Sequence, residues 1–575
     1  MVRRATATDR PVVSPAVATP SRLGGLLFAL KTRVLQLRRA LRDLRGGPRR
    51  HRRDAGLPIA AAAVSESVTP LWPESEETSP LLVAGKIHNL RVAARVLHGV
   101  EVPAGATFSF WRQLGRATRR RGFAAGRELR EGCLLPSIGG GLCQLSNAIY
   151  DAALRQGLQI VERHRHSQVI AGSLAERDRD AVVFWNYVDL RLRAESAWRL
   201  EVWLDGDDLH VRILGGAPAV AALPLLPLRR TPAATAANDC TRCGREQCHR
   251  HVPAGAQGLR RTWLVDEDWP EFADDRRRRM QPGDRVLALR RSSFAALQAA
   301  LLQRWWLRRG LPLPQVRQRA QRIRLRALQR QLGAQDVELV VPQSLLPGLW
   351  LAGELQGRRW DVCMTALPMQ VLQARLDAAA QRHPDSATLR DFRADPLLVE
   401  AERAALAQAR HWITPHRELL ALAGSRGIAL PWQPPVAPAA APPSGDGAGA
   451  AAQVLLAASA LARKGAFELR EALRGLPVQL LLPPGAQETP QFWSGFDVRR
   501  VGSMAAGVQA AAVVVLPAWV EQQPRGALLA LALGKPVIAT AACGLGADAG
   551  AWRCVEAGDA AALRVQLLEA LAARS

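Results

Sequence analysis

Lysine is almost missing from this chain. It occurs only at Lys31, Lys86, Lys464 and Lys535 among 575 residues, so nearly all of the 77 basic side chains are arginine. With abundant alanine, that looks like a GC-rich codon bias. The +26 net charge is therefore weak evidence of nucleic-acid binding: the arginines are spread over the whole chain and no nucleic-acid motif accompanies them, so no specific nucleic-acid partner is expected. Long apolar runs are missing too, and none approaches the roughly 18 residues a membrane span requires. The opening MVRRATATDRPVVSPAV has no apolar stretch of the secretory kind. Cysteine is scarce, eight in all with three clustered, which excludes a disulfide framework. These absences point to a cytoplasmic protein, peripheral at most to the inner membrane face. An apolar fraction of 48% excludes a disordered chain, and the length calls for more than one core.

Residues 1–55 form a basic arm. Within it Leu23, Leu26, Leu27, Leu30, Val34, Leu37, Leu41 and Leu44 recur at helical spacing, with Ser21 placed to cap. Such a helix either lies on an anionic membrane face or packs its apolar stripe on the next domain, the commoner arrangement. Residues 56–83 are polar and read as a connector. From Lys86 to Gly215 the pattern is α+β: a helix over 86–98, a turn at Val102–Gly105, a helix after a glycine run, then strands at Ala181–Trp185, Leu200–Leu204 and Leu209–Ile213.

The densest chemistry is Ser137-Ile-Gly139-Gly140-Gly141-Leu-Cys143-Gln144. Glycines permit φ > 0 and close approach of backbone to a ligand, and a helix starting after them sets Cys143 near its positive end, which favours a thiolate. Nucleophilic cysteine chemistry also needs a base, and His164 and His166 supply imidazoles, with Asp180 available as an orienting group. A second cluster, Cys240-x2-Cys243-x4-Cys248-His249-x-His251, has the spacing of a local Cys3His zinc site built from Cys240, Cys243, Cys248 and His251. An iron–sulfur cluster or unligated thiols are the alternatives.

Further on, short apolar runs alternate with helical stretches: Val337–Val341, Trp360–Thr365, Trp412–Thr414, Val454–Ala458, Val478–Leu482, Ala512–Leu516 and Pro536–Thr540. Strands alternating with helices predict parallel sheets, and the Pro/Ala/Gly segment 434–449 divides them into lobes at 336–432 and 453–575. Arg463, Lys464 and Gly465 follow one strand, and Glu521 and Gln522 follow another. This is a suitable arrangement for clamping a diphosphate and bonding a ribose.

Two resemblances sharpen these readings. Residues 84–215 resemble the VanW family through Arg91-Val-Ala-Ala, Pro103-Ala-Gly105-Ala-Thr-Phe108-Ser109-Phe110, Gly122-Phe123, Gly139-Gly-Gly141-Leu-Cys143-Gln144, Arg163-His-Arg-His166-Ser167 and Asp180-Ala-Val-Val-Phe-Trp-Asn186-Tyr187. That resemblance implies a cell-wall setting. By analogy with members resembling cysteine transpeptidases, it also implies Cys143 as nucleophile and His166 as base. Residues 453–565 are similar to the C-terminal lobe of GT-B glycosyltransferases, and 336–432 to the N-terminal lobe. The implied activity is sugar transfer from a nucleotide-sugar donor to a glycan or wall-precursor acceptor. The donor motif keeps Glu521, but its second glutamate position holds Leu529, and Ser459 stands where an arginine is common.

The expectation is thus a multidomain protein, an α+β VanW module followed by a two-lobed, Rossmann-like α/β GT-B fold, acting as a glycosyltransferase-like protein of envelope assembly. Cys-dependent acyl transfer and a non-catalytic membrane-surface scaffold are the alternatives.

Overall fold

A computed structural model of the protein describes residues 22–60, 64–72, 79–130, 133–166, 173–216, 238–239, 248, 258–266, 269–288, 294–311, 313–386, 388–391, 393–436, 451–546 and 549–573. The chain divides into two compact units, one dominated by residues up to 260 and the other by residues from 261 onward.

In the first unit helix α1 spans Arg22–Leu44. A four-stranded antiparallel sheet has the order β1-β4-β3-β2, with β1 at Val64–Pro70, β2 at Val100–Val102, β3 at Trp198–Asp205 and β4 at Asp208–Gly215. β3 and β4 alternate as half-buried strands must: Trp198, Leu200, Val202 and Leu204 face inward with Leu209, Val211 and Ile213, across the expected Asp-Gly-Asp-Asp turn. Helices α2 (Pro80–Leu97) and α3 (Leu142–Arg155) pack in the same core, supplying Ile87, Leu90, Leu145 and Ile149.

Three expectations need correction in this unit. The polar connector contains β1, whose inward positions are Ser65, Ser67 and Thr69, so its alternation ran opposite to the usual apolar signal. Ser65 donates to the Ala152 carbonyl of α3 at 2.8 Å, which satisfies a hydroxyl in an apolar setting. Ala181–Trp185 is not a strand: beyond a single bridge between Phe184 and Val188 it pairs with no neighbour, and its backbone bonds go to α3 and His164 instead. Finally, α1 does not bury its leucine stripe. It docks through Gln36, Arg39 and Asp43, and Leu23, Leu26, Leu27, Leu30, Val34, Leu37, Leu41 and Leu44 are exposed.

The second unit holds two six-stranded sheets. The first has the order β6-β5-β7-β8-β9-β10, from β5 (Arg260–Val265), β6 (Arg285–Ala288), β7 (Asp336–Pro342), β8 (Arg359–Cys363), β9 (Trp412–Thr414) and β10 (Gly427–Ala429). The pairs β5–β6, β7–β8, β8–β9 and β9–β10 run parallel. The sequence pattern starts this sheet at Val337, whereas the chain contributes β5 and β6 before it. The second sheet is wholly parallel, ordered β13-β12-β11-β14-β15-β16, from β11 (Ala452–Leu456), β12 (Val478–Leu482), β13 (Val498–Arg500), β14 (Val513–Leu516), β15 (Val537–Thr540) and β16 (Arg553–Val555). Both sheets carry helices in their crossovers, so the unit is the two-lobed, Rossmann-like α/β fold expected.

No helix among the described residues is long and apolar enough to cross a membrane.

Candidate functional sites

Cys143 is the second residue of α3, where backbone N–H groups of the first turn lack partners within the helix and the dipole favours negative charge. The glycines before it make this placement possible. Gly139 and Gly141 have φ of 84° and 95°, and a Cβ on Gly141 would lie 2.2 Å from Cγ of the buried Lys86. A Cβ on Gly140 would meet the Gly126 backbone at 2.4 Å, so the room these glycines leave is filled by the chain itself rather than by an open ligand groove. Gln144 is likewise occupied, donating to Thr69 Oγ1 at 3.0 Å and the Pro70 carbonyl at 2.8 Å.

The structure brings the sulfur, imidazole and carboxylate together. His166 Nδ1 bonds to Asp180 Oδ1, and its backbone N–H donates to Asp180 Oδ2 at 2.5 Å. Cys143 lies close enough to His166 for a side-chain hydrogen bond and for its charge to act on the ring. Sequence reasoning missed the groups that hold this line in place. Asn147 Oδ1 accepts the Ala181 N–H at 2.7 Å, Ser146 Oγ donates to the Ala181 carbonyl, and Arg163 Nε donates to the Asp180 carbonyl at 2.7 Å while stacking over Tyr150. Asn147 and Ser146 lie one turn along from Cys143 on α3, so one helix fixes both the sulfur and the segment that carries Asp180.

Burial disfavours a charged His166, but the hydrogen bonds to Asp180 and Cys143, and the charges of both, outweigh it and raise His166 to about 10. The linkage sign follows. Below an unfolded value of about 6.5 the group is protonated in both states and its stabilisation is complete; that stabilisation disappears as pH rises through about 10. We expect imidazole nitrogen spectra of the intact protein to show His166 doubly protonated at pH 8. The unfolding free energy of the first unit should then fall between pH 6.5 and 10 relative to His166→Gln. A titration of His166 centred near 6.5 would contradict the ion-paired arrangement.

In the second unit the strand order reverses between β11 and β14, which are adjacent and parallel. Ligands of open α/β sheets bind at the carboxyl ends of the strands flanking such a reversal. Arg463, Lys464 and Gly465 follow β11 and Glu521 and Gln522 follow β14, so the sequence-derived set converges there. Lys464 Nζ donates to Glu521 Oε2 at 3.0 Å and to the Val520 carbonyl at 2.9 Å. Glu521 Oε1 accepts the backbone N–H of both Gln522 and Gln523 at 2.9 Å. Gly465 has φ of 80°, and a Cβ there would strike the Pro517 carbonyl oxygen at 2.0 Å, which locks the two loops together. Burial lowers Arg463, against the charges of Asp391, Glu488 and Glu521. Leu529 is buried in the apolar core, so the second motif carboxylate has no equivalent at its position.

The other lobe closes over this point. His416, following β9, donates from Nε2 to the Glu521 carbonyl at 2.9 Å, and burial lowers its pKa, keeping it neutral. Helix α4 (Arg525–Ala532) begins with Arg525, which forms a two-pronged ion pair with Glu271 at 2.7 and 2.8 Å and lies 5.9 and 5.6 Å from the ring centres of Trp269 and Trp432.

Of the proposed metal ligands Cys240, Cys243 and His251 lie outside the described residues, and Cys248 is half-buried. Among the described residues no cluster of three His, Cys, Asp or Glu is placed to hold a metal, so the zinc expectation gains no support.

Residues 85–214 match the family described as VanW like protein. Over 132 residues the chain is 31% identical to the vancomycin B-type resistance protein VanW of Enterococcus faecalis, covering 21% of this chain and 46% of that protein. Over 106 residues it is 34% identical to the uncharacterized protein YoaR of Bacillus subtilis, covering 18% of this chain and 34% of that one. The chain therefore matches less than half the length of either relative. Among solved structures, sucrose-phosphate synthase from Thermosynechococcus elongatus is 22% identical at TM-score 0.34, covering 46% of this chain and 71% of that one. The Anabaena protein HepE, in complex with UDP and glucose, is 13% identical at TM-score 0.34, covering 55% and 90%. At these scores the two-lobed architecture rests on the strand orders above.

Proposed function

We propose, with residues 85–214 as a VanW-like domain, that this protein performs cysteine-dependent acyl transfer in cell-envelope metabolism. The observation that carries this reading is the contiguous Cys143–His166–Asp180 line at a helix N-terminus. The Cys143 thiolate attacks a peptide carbonyl carbon, and first-turn N–H groups of α3 favour the resulting oxyanion. The C–N bond then breaks, His166 gives its proton to the departing amine, and a thioester remains on Cys143. A second amine attacks the thioester, His166 takes that amine's proton, and the thiolate is restored. The VanW relative's setting in vancomycin resistance supports peptidoglycan stem peptides as the substrate class. Incubation with such peptides followed by intact mass measurement tests the proposal: an acyl adduct on Cys143 supports it, and absence of any adduct with a panel of stem peptides counts against it.

A second activity, nucleotide-sugar binding by the C-terminal unit for glycosyl transfer, is supported by Lys464 and Glu521 meeting at the strand-order reversal. Their mutual pairing means that a donor diphosphate must displace Glu521 from Lys464. Lys464→Met is expected to weaken nucleotide-sugar binding by at least tenfold in saturation-transfer NMR, since a charge-assisted phosphate contact contributes about 1.5–3 kcal/mol. Failure of the unaltered protein to bind any nucleotide sugar would remove this activity and leave the first reading intact.

A further inference from the structure

The orientation of α1 is the reverse of what an amphipathic helix on a soluble domain adopts. Its docked face is mainly polar, joined by Phe28 edge-on to Phe184. Gln36 Nε2 donates to the Trp185 carbonyl at 2.7 Å, the almost fully buried Arg39 forks onto Glu162 at 2.6 and 3.1 Å, and Asp43 pairs with Arg191 at 2.7 Å. The apolar stripe of Leu23, Leu26, Leu27, Leu30, Val34, Leu37, Leu41 and Leu44 is left between 51% and 82% exposed. A continuous stripe of this length in water is a strong sign of a missing partner.

The chemistry of the margins says what that partner is. By helical angle, Lys31, Arg38, Arg42 and Arg45 run along one edge of the stripe and Arg33 lies on the other, and all five are exposed. The single acidic residue of α1, Asp43, is turned inward onto Arg191. The free surface of the helix therefore carries leucines and cations and no anion. A second copy of α1 would meet this face with like charges, whereas a bilayer offers acyl chains for the leucines and anionic headgroups for the rim. The helix is too polar to span, so it lies in the interface plane.

We propose that α1 is a membrane-docking helix that seats the first unit on an anionic bilayer, its leucine stripe in the acyl boundary and its basic margin on the headgroups. The docked polar face fixes the helix on the domain, so the domain is held at a set orientation to the lipid surface.

The test is flotation of the full-length protein with vesicles of phosphatidylcholine, with and without phosphatidylglycerol. We expect binding to the anionic vesicles, weakened by salt. Leu30→Glu/Leu37→Glu/Leu41→Glu and, separately, Arg38→Glu/Arg42→Glu should each reduce binding at least tenfold. All five sites are exposed and Gln36, Arg39 and Asp43 are untouched, so thermal melting of both variants should match the parent. Binding unchanged in the leucine variant overturns the proposal. So does a lipid-free dimer of the parent that becomes monomeric in that variant, because a second copy would then cover the stripe.

Discussion

Cys143→Ala is expected to abolish the acyl adduct and to lower any acyl-transfer rate on the order of a million-fold, as loss of the nucleophile does in covalent catalysis. The thermal midpoint of the first unit should drop only modestly, since His166 loses one of the two partners that raise it but keeps Asp180. The sulfur is half-buried and approaches the Val183 carbonyl at a long 3.9 Å, so the loss is confined mainly to its interaction with His166. Asp180→Asn should fall between: the imidazole keeps a neighbour but loses the charge that helps hold it protonated, and the pH–rate profile should shift with it. Alkylation by iodoacetamide gives an independent check. If Cys143 reacts no faster than Cys133, the nucleophile assignment fails even where the fold is intact.

The largest stability effect is expected at Glu271. Its side chain is fully buried and holds both prongs of Arg525, which sits over the faces of Trp269 and Trp432. Glu271→Ala leaves a guanidinium among apolar rings with no counter-charge, a loss of about 3–5 kcal/mol in urea denaturation of the second unit. The double variant Glu271→Met/Arg525→Met removes both charges and should recover most of that loss. Equal losses in the single and double variants would show that the pair's charge is irrelevant and that only shape matters there.

How far the sequence foretold these features depends on where each side chain points. The strands Val454–Leu456, Leu480–Leu482 and Val513–Leu516 were legible because both faces are covered, so they read as unbroken apolar runs. β5, β6 and β13 were not. Arg260 and Arg261 open β5, each paired with a carboxylate of β7, and the edge strand β13 reads Val-Arg-Arg, so charges mask the pattern. β1 escaped for the opposite reason, since hydroxyls occupy its buried positions. At the cysteine site each reacting group was visible as a residue type in a dense motif. The clamp from Asn147 and Ser146 onto Ala181 was not visible, because it spans 34 and 35 residues and exists only once α3 lies beside that segment. The orientation of α1 was equally hidden: hydrophobic periodicity locates a stripe but is silent on whether Arg39 and Asp43 have better partners inside than the leucines do.

The seam of His416 on the Glu521 carbonyl, Trp432 on the Gly544 carbonyl and Arg525 on Glu271 has a kinetic consequence. On the proposed nucleotide-sugar activity, a donor can reach the Glu521 loop only during excursions in which these bonds come apart together. Capture then proceeds through a sparsely populated open form, and the observed association rate levels off with rising ligand concentration at the frequency of opening.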